Sequence, residues 1–347
     1  MKTNKVFSIC LMFLVMILMN SCSSVTYQTI FPTLSDGKYD SEFPYKGSSA
    51  ELSDIGESVY RINSTAFYYT YIFSTDSRLK LKDLSDDIIK TKSMKSTLYD
   101  LSSAGSATLL SVENSSVAFL TCSHIVDYQD TIVSYIHNEK GEKTEYVESI
   151  SIKDKQTTYV LGFPGGGELQ VLLSDRMQDI AIIGNKFQPD FVTRQHKFHY
   201  PYGSAKNLEW GSFVYLFGYP LNYKMVTKAI VSSPDLDGQG SFIVDAVINR
   251  GFSGGIVLAI KDGVPNFELV GMVQRVPKDD EEYLKPKALI SGEEYSPLIK
   301  YEGELFVDKR VNIKYGIAKI ISTEKILEFI NSNKKYLESK GYFINIQ

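Results

Sequence analysis

Apolar residues along most of this chain fall in short bursts, often alternating with polar ones, and rarely recur at helical spacing. Such bursts, rich in Val, Ile, Thr, Tyr and Phe and separated by Gly, Asn, Asp or Lys, predict strands. The first strand region covers 58–73. From 106 onward the strands come quickly, at 107–112, 116–122, 131–137, 146–152, 157–161, 169–173 and 180–183. A second series follows at 213–217, 225–232, 241–247, 255–260, 267–274 and 315–320, after a connector at 184–210. Many short strands at close spacing predict sandwiches or barrels. The 3.6-residue period is clearest near the end, where Ile326, Leu327, Phe329 and Ile330 follow Thr323 as N-cap and predict a helix over 323–338. The stretch 79–101 is charged, with a short helix at 86–94, and 277–309 reads as a long polar loop. Both look like insertions.

The opening of the chain has another character. Lys2 and Lys5 precede an apolar run over 6–19 that only Ser8 breaks, and Leu18-Met19-Asn20-Ser21-Cys22 follows. A basic start, a short apolar core and a small residue before a cleavage point form an export signal. The core is short for a membrane span, and an uncleaved anchor helix is the alternative. The segment resembles a bacterial lipoprotein signal, which implies a lipid on Cys22 and anchoring to a membrane of the cell envelope. Ser23 and Ser24 follow, without the Asp of the familiar inner-membrane retention signal, so the outer membrane is expected. Residues 23–50 are rich in Ser, Thr, Tyr, Gly and Pro and read as a tether.

Composition narrows the picture. The chain has 347 residues, 43% of them hydrophobic and 22% charged, enough to bury a core. A net charge of −4 gives no electrostatic reason to expect a nucleic-acid partner. Of three cysteines, Cys10 would leave with the signal and Cys22 would be acylated. Cys122 then has no disulfide partner, and its apolar neighbours predict a buried, inert thiol.

Three segments carry chemistry. Thr121-Cys122-Ser123-His124 ends an apolar strand, Asp179 opens another, and Gly251-Phe252-Ser253-Gly254-Gly255 precedes a third. A serine hydroxyl is a poor nucleophile unless a base takes its proton, and imidazole suits that task near neutral pH. The imidazole needs an acceptor at its other nitrogen, which a carboxylate supplies. An oxyanion needs converging backbone N–H groups, and glycine permits the backbone angles that turn them inward.

Together these segments resemble the trypsin-like serine proteases, and among them the bacterial periplasmic heat-shock branch. Thr121-Cys122-Ser123-His124 is similar to the family's Thr-Ala-Ala-His. Asp179-Ile180-Ala181-Ile182 is similar to Asp-Ile-Ala-Leu, and Gly251–Gly255 to Gly-Asn/Asp-Ser-Gly-Gly. Gly105-Ser106-Ala107-Thr108, Phe217-Gly218-Tyr219-Pro220, Val270-Gly271-Met272-Val273 and Tyr315-Gly316-Ile317-Ala318 resemble further family strands, so the likeness spans roughly 55–335. The spacing from His124 to Asp179 and on to Ser253 fits a first barrel carrying His, a second carrying Ser, and Asp near the junction. The order His, Asp, Ser excludes the α/β-hydrolase arrangement.

The resemblance implies an all-β fold, a trypsin-like double β-barrel with a C-terminal α-helix. Barrel one is expected at about 55–190 and barrel two at about 205–322, within a peptidase domain over 51–335 that follows a signal at 1–21 and a tether at 22–50. The terminal helix and tail occupy 323–347, with no PDZ module expected. It implies a serine endopeptidase in which Ser253 attacks, His124 carries the proton and Asp179 orients His124. The N–H groups of Gly251 and Ser253 form the oxyanion hole, protein or peptide is the substrate, and no cofactor or metal is needed. Phe252 departs from the pattern, standing where the family has Asp or Asn. Trypsin-style zymogen activation is therefore not expected, and a catalytically weak protease-fold lipoprotein that binds peptides or a partner is the alternative.

Other residues invite metal readings. His196 and His199 lie close together but have no further ligand near them in sequence, so they read as surface residues. Asp235–Gly240 starts like a calcium loop but carries Ala246 where a bidentate Glu is required, and reads as a turn. Gly165-Gly166-Gly167 lacks the Lys-Ser/Thr of a phosphate loop and reads as a hairpin turn.

Overall fold

The structure is a computed structural model of the chain. It describes residues 30, 32–113, 115–138, 140–163, 166–192, 195–275, 278–286, 295–296, 298–313 and 316–345. The expected export signal and Cys22 lie outside these residues, as do Gly165 of the glycine run and Tyr315.

Two antiparallel barrels form the body. Barrel one uses β1 (Val59–Phe73), β2 (Ser93–Glu113), β3 (Ser116–Thr121), β4 (Thr131–His137), β5 (Lys143–Val160), β6 (Glu168–Asp175) and β7 (Ile180–Lys186). The order β1-β2-β3-β7-β6-β5 closes through the β1–β5 pairing, and β4 adds to the outside of β5. β1 shows why it is a strand: Ile62, Ser64, Ala66 and Tyr68 are buried and the residues between them are not. Every side chain of β3 is buried, as expected of a central strand.

Barrel two closes with β8 (Phe213–Gly218), β9 (Met225–Ser233), β10 (Phe242–Val244), β11 (Ile256–Ile260), β12 (Phe267–Arg275) and, after a hairpin, β15 (Ala318–Ser322). Its interior holds Val214, Leu216, Phe242, Val257, Val270 and Ile320. Its outward-facing Phe213, Tyr215, Ile256, Leu258 and Met272 join the core of barrel one, so the two barrels share one apolar interface. The expected double barrel with a C-terminal helix is the fold found.

Some local expectations change, while the short helix expected at 86–94 is found at 86–92. Residues 93–101 form the first half of a long β2, paired with β1 through Ser96↔Tyr71 and Leu101↔Ala66. Most of those side chains are exposed, so no alternation marked them. A helix α1 (Ser49–Glu57) precedes β1, and α2 (Asp86–Lys92), capped by the Ser85 hydroxyl, covers a satellite core of Phe73, Ile89, Val147 and Ile150. The described part of 277–309 is largely a hairpin arm, β13 (Lys278–Pro286) against β14 (Leu305–Ile313). Cross-strand pairs such as Lys309–Glu282 link its two strands, whose described side chains are mostly exposed.

The C-terminal helix is broken. After a helical turn α3 (Ser123–Val126) in barrel one, the last helices are α4 (Thr323–Ser332) and α5 (Lys334–Ser339). Asn333 sits between them, and its amide donates to the Phe329 carbonyl at 2.8 Å, ending α4. The N-cap is Ser322, whose hydroxyl accepts from Lys325 N–H, while the Thr323 hydroxyl donates to Leu269 O.

Both ends of the chain cross over. Residues 32–48 lie along barrel two although barrel one follows them. Asp40 N–H donates to Ile260 O, Phe213 N–H donates to Asp40 O, and the Tyr39 hydroxyl donates to Glu268 at 2.7 Å. The tail after α5 returns to barrel one, where the Ser111 and Ser116 hydroxyls donate to the carbonyls of Phe343 and Gly341.

Candidate active site

His124 belongs to α3, the single turn that ends β3. The turn is anchored by Cys122, Ile125 and Val126, all fully buried. Asp179 comes from the β6–β7 turn. Asp175 Oδ1 accepts from the N–H groups of Met177 and Gln178, which tightens that turn. Asp179 itself has a left-handed φ of 60°, a region Asp tolerates better than most side chains.

The two residues lock together. Asp179 Oδ1 accepts from the backbone N–H of His124 at 3.0 Å, and Nδ1 of the ring lies 3.0 and 2.9 Å from Oδ1 and Oδ2. A carboxylate can only accept, so Nδ1 carries the proton and Nε2 of the neutral ring keeps its lone pair. The Asp179 side chain is 12% exposed and the His124 side chain 45%, so the imidazole reaches solvent while the carboxylate beside it does not.

Ser253 comes from barrel two. The loop before β11 makes a tight turn in which Phe252 N–H donates to Asn249 O at 3.3 Å and Gly251 has φ 108°. Positive φ at the third position is the signature of a type II turn. A Cβ on Gly251 would also meet Tyr219 O at 2.3 Å, so both angle and space require glycine. Gly254 is similar, with φ 82° and the Ser106 carbonyl 2.1 Å from a Cβ placed there.

Ser106 ties this loop to barrel one. Its hydroxyl donates to Gly251 O at 2.7 Å and accepts from Tyr219 N–H at 2.9 Å, and its own N–H donates to Ser253 O at 2.8 Å. The Thr121 hydroxyl in turn donates to Ser106 O at 2.8 Å. Sequence reasoning noted Ser106 only within a strand likeness. Its hydrogen-bonding role depends on a loop of the other barrel, far along the chain, and has no local signal.

Phe252, the departure from the family pattern, is 1% exposed and packs into the interior of barrel two. It occupies the space over Gly218, where a Cβ would stand 2.7 Å from its ring. Apolar burial thus anchors the loop where a charged residue would need a buried partner.

His124, Asp179 and Ser253 line one open cleft of about 1200 Å³. Ile243, Ile248, Asn249, Arg250, Gln274 and Arg275 line it too, which places part of the segments around 244–250 and 271–275 on its surface. Arg250, Arg275 and Lys319 contribute cations that are not ion-paired among the described residues. Asp127 lies at one edge. Burial opposes its charge, but the Arg176 guanidinium and the Ser174 hydroxyl hold its carboxyl below the usual range.

Cys122 also neighbours Asp179 and His124. Burial pushes its thiol well above the ordinary value, and Sγ–H donates to Val273 O at 3.3 Å, so it stays a protonated bridge to barrel two. Asp235–Gly240 is the expected turn. Asp235 accepts from Gly240 N–H, and Asp237 accepts from Gln239 and Ser241 N–H and pairs with Lys325. His196 and His199 do have a third polar neighbour, Asp54 of α1, from far outside the sequence window that seemed to isolate them.

Among solved structures the chain is similar to a serine endoprotease from Yersinia pestis, with 16% identity, 84% of this chain and 67% of that one covered, and a TM-score of 0.39. It is also similar to the Rv3671c protease in its inactive form, at 12% identity, 81% and 91% coverage and a TM-score of 0.39. A third is Deg5, at 14% identity, 66% and 87% coverage and a TM-score of 0.36. No family model and no curated protein matches the sequence.

Proposed function

We propose that this chain is a serine peptidase that cleaves peptide bonds through an acyl-enzyme. The observation that carries the reading is the doubly bonded His124–Asp179 pair from one barrel, lining the same cleft as Ser253 from the other. As a substrate carbonyl settles in the cleft, Ser253 Oγ attacks it and passes its proton to His124 Nε2. Asp179 holds the ring at Nδ1 and stabilises the imidazolium as it forms. The N–H groups of Gly251 and Ser253 stabilise the oxyanion. His124 then protonates the leaving amine, and water, deprotonated by the same imidazole, releases the acyl group and restores Ser253. The cations at Arg250, Arg275 and Lys319 favour peptides with acidic side chains near the scissile bond.

The test is labelling with a fluorophosphonate, which reacts only with an activated serine. Label on the chain, lost in Ser253→Ala and His124→Ala, is expected. A folded chain that takes no label but still binds peptides would overturn this reading in favour of a binding protein. Fluorogenic peptides with acidic, basic or neutral residues beside the bond test the charge preference, and equal KM values would remove it.

We also propose that the chain is exported and held at the outer membrane by a lipid on Cys22, on the basis of the segment from Lys2 to Ser24. Metabolic labelling with an alkyne fatty acid should mark the protein, and Cys22→Ser should abolish the mark. An unlabelled protein that retains Met1 would refute the anchor.

A further inference from the structure

Asp54, His196 and His199 meet outside everything the catalytic reading uses. Asp54 sits on α1, and the two histidines sit on the connector between the barrels. His196 Nε2 lies 2.8 Å from Asp54 Oδ1, and His199 Nε2 lies 3.4 Å from Asp54 Oδ2. The candidate ligand atoms, one from each side chain, all lie within 4.8 Å of one another. We propose that these three side chains form a binding site for a divalent transition cation, zinc first, with solvent completing the coordination.

Spacing, donor type and support all favour a cation here. Metal–ligand bonds of about 2.0–2.1 Å in a tetrahedron put neighbouring ligand atoms roughly 3.3 Å apart. The two nitrogen–oxygen separations, which run to different oxygens of the Asp54 carboxylate, lie on either side of that value. Two imidazoles and one carboxylate are a donor set that zinc and copper take and that calcium and magnesium do not favour. The supporting backbone is fixed. On α1, Ile55 is buried beside Asp54. On the connector, Phe198 between the histidines is buried and its N–H donates to Leu109 O at 2.8 Å. Gly203 N–H donates to Leu269 O a few residues on.

An outer hydrogen bond completes the picture. The Tyr200 hydroxyl donates to Asp54 Oδ2 at 2.9 Å, the kind of contact that orients a ligating carboxylate. A cation at the centre of the cluster satisfies both imidazole lone pairs and the carboxylate together. It would also clamp α1 to the connector, joining segments that lie on either side of the whole of barrel one in the sequence.

The experiment is a calorimetric titration of the EDTA-treated full chain with zinc chloride, with melting followed in parallel. One zinc per chain at micromolar affinity or better is expected, with a rise in Tm. Cobalt should give the visible absorption of a tetrahedral site. Asp54→Ala and His196→Ala should each weaken binding at least tenfold and remove the Tm rise. His199→Gln, a solvent-facing change, covers the case in which a variant at Asp54 disturbs α1. His124→Ala should leave the zinc isotherm unchanged. Binding that persists in the Asp54, His196 and His199 variants but disappears in His124→Ala would assign the metal to the cleft and overturn the proposal. So would the absence of binding at millimolar zinc.

Discussion

The two barrels fix their halves of the cleft by different means. Barrel one positions its His–Asp pair through side chains, with the Asp179 carboxylate accepting from both the His124 ring and the His124 backbone. Barrel two positions Ser253 and Gly251 through main-chain geometry: positive φ at Gly251 and Gly254, carbonyls held by Ser106, and Phe252 sunk into the core below. One half can therefore change chemically without moving its backbone. The other half cannot change shape without moving Ser253.

That contrast orders the expected effects. Asp179→Asn should leave the fold intact and lower kcat on the order of 10⁴-fold, the size of the same exchange in trypsin. Unchanged kcat in a folded variant would break the side-chain account of barrel one. Phe252→Ala should cost stability instead, about 3–5 kcal/mol for a buried aromatic, with activity falling as the loop loosens. Denaturant unfolding measures it, and a loss under about 1 kcal/mol would mean that the loop does not depend on that ring. Gly251→Ala meets both a strained φ and the Tyr219 carbonyl. Losing one oxyanion donor is worth roughly 10²–10³-fold in kcat, with little change in KM. Ser106→Ala removes one hydrogen bond to each neighbour of the loop, so roughly a tenfold loss of kcat is expected, from about 1.4 kcal/mol. If Ser106→Ala proves as damaging as Gly251→Ala, the loop has no shape of its own and barrel one imposes it.

The smallest effect is a dependence on pH away from the cleft. Burial works against the charge of Asp237, but Lys325 and the Ser241 and Gln239 donors hold its carboxyl well below the usual range. A carboxyl depressed on folding adds stability that is complete above its unfolded range near 4 and fades as pH falls toward the folded value. Asp237→Asn should therefore lower Tm by a few degrees at pH 7, and the gap to the parent should shrink steadily as pH falls below about 4. A gap that stays constant would mean the pair with Lys325 contributes nothing.

Much of this was legible in the sequence because it is local. β3 and β7 are apolar runs bounded by turns, and the His124, Asp179 and Ser253 segments each announce a chemistry beside a strand end. What was not legible has a physical cause in each case. Residues 93–101 and the β13–β14 arm are strands with both faces largely in solvent, so alternation never appears in their sequence. Asn333 breaks the last helix by a side-chain bond to the backbone that helical periodicity does not register. Ser106 and Asp54 acquire their partners only through tertiary contact, from Gly251 and from His196 and His199. Phe252 read as a defect in a motif because the space that receives it, over Gly218, belongs to a different strand.

The crossing of the chain ends has a mechanical side. Residues 39 and 40 are stitched into the wall of barrel two, and residues 341 to 345 into barrel one. Force applied at the N-terminal side thus enters barrel two first, and force at the C-terminal side enters barrel one, the reverse of chain order. Either barrel unravelling would strip a strap from the other, so the pair yields as one body, and a nick in the connector would leave its two pieces still buckled together.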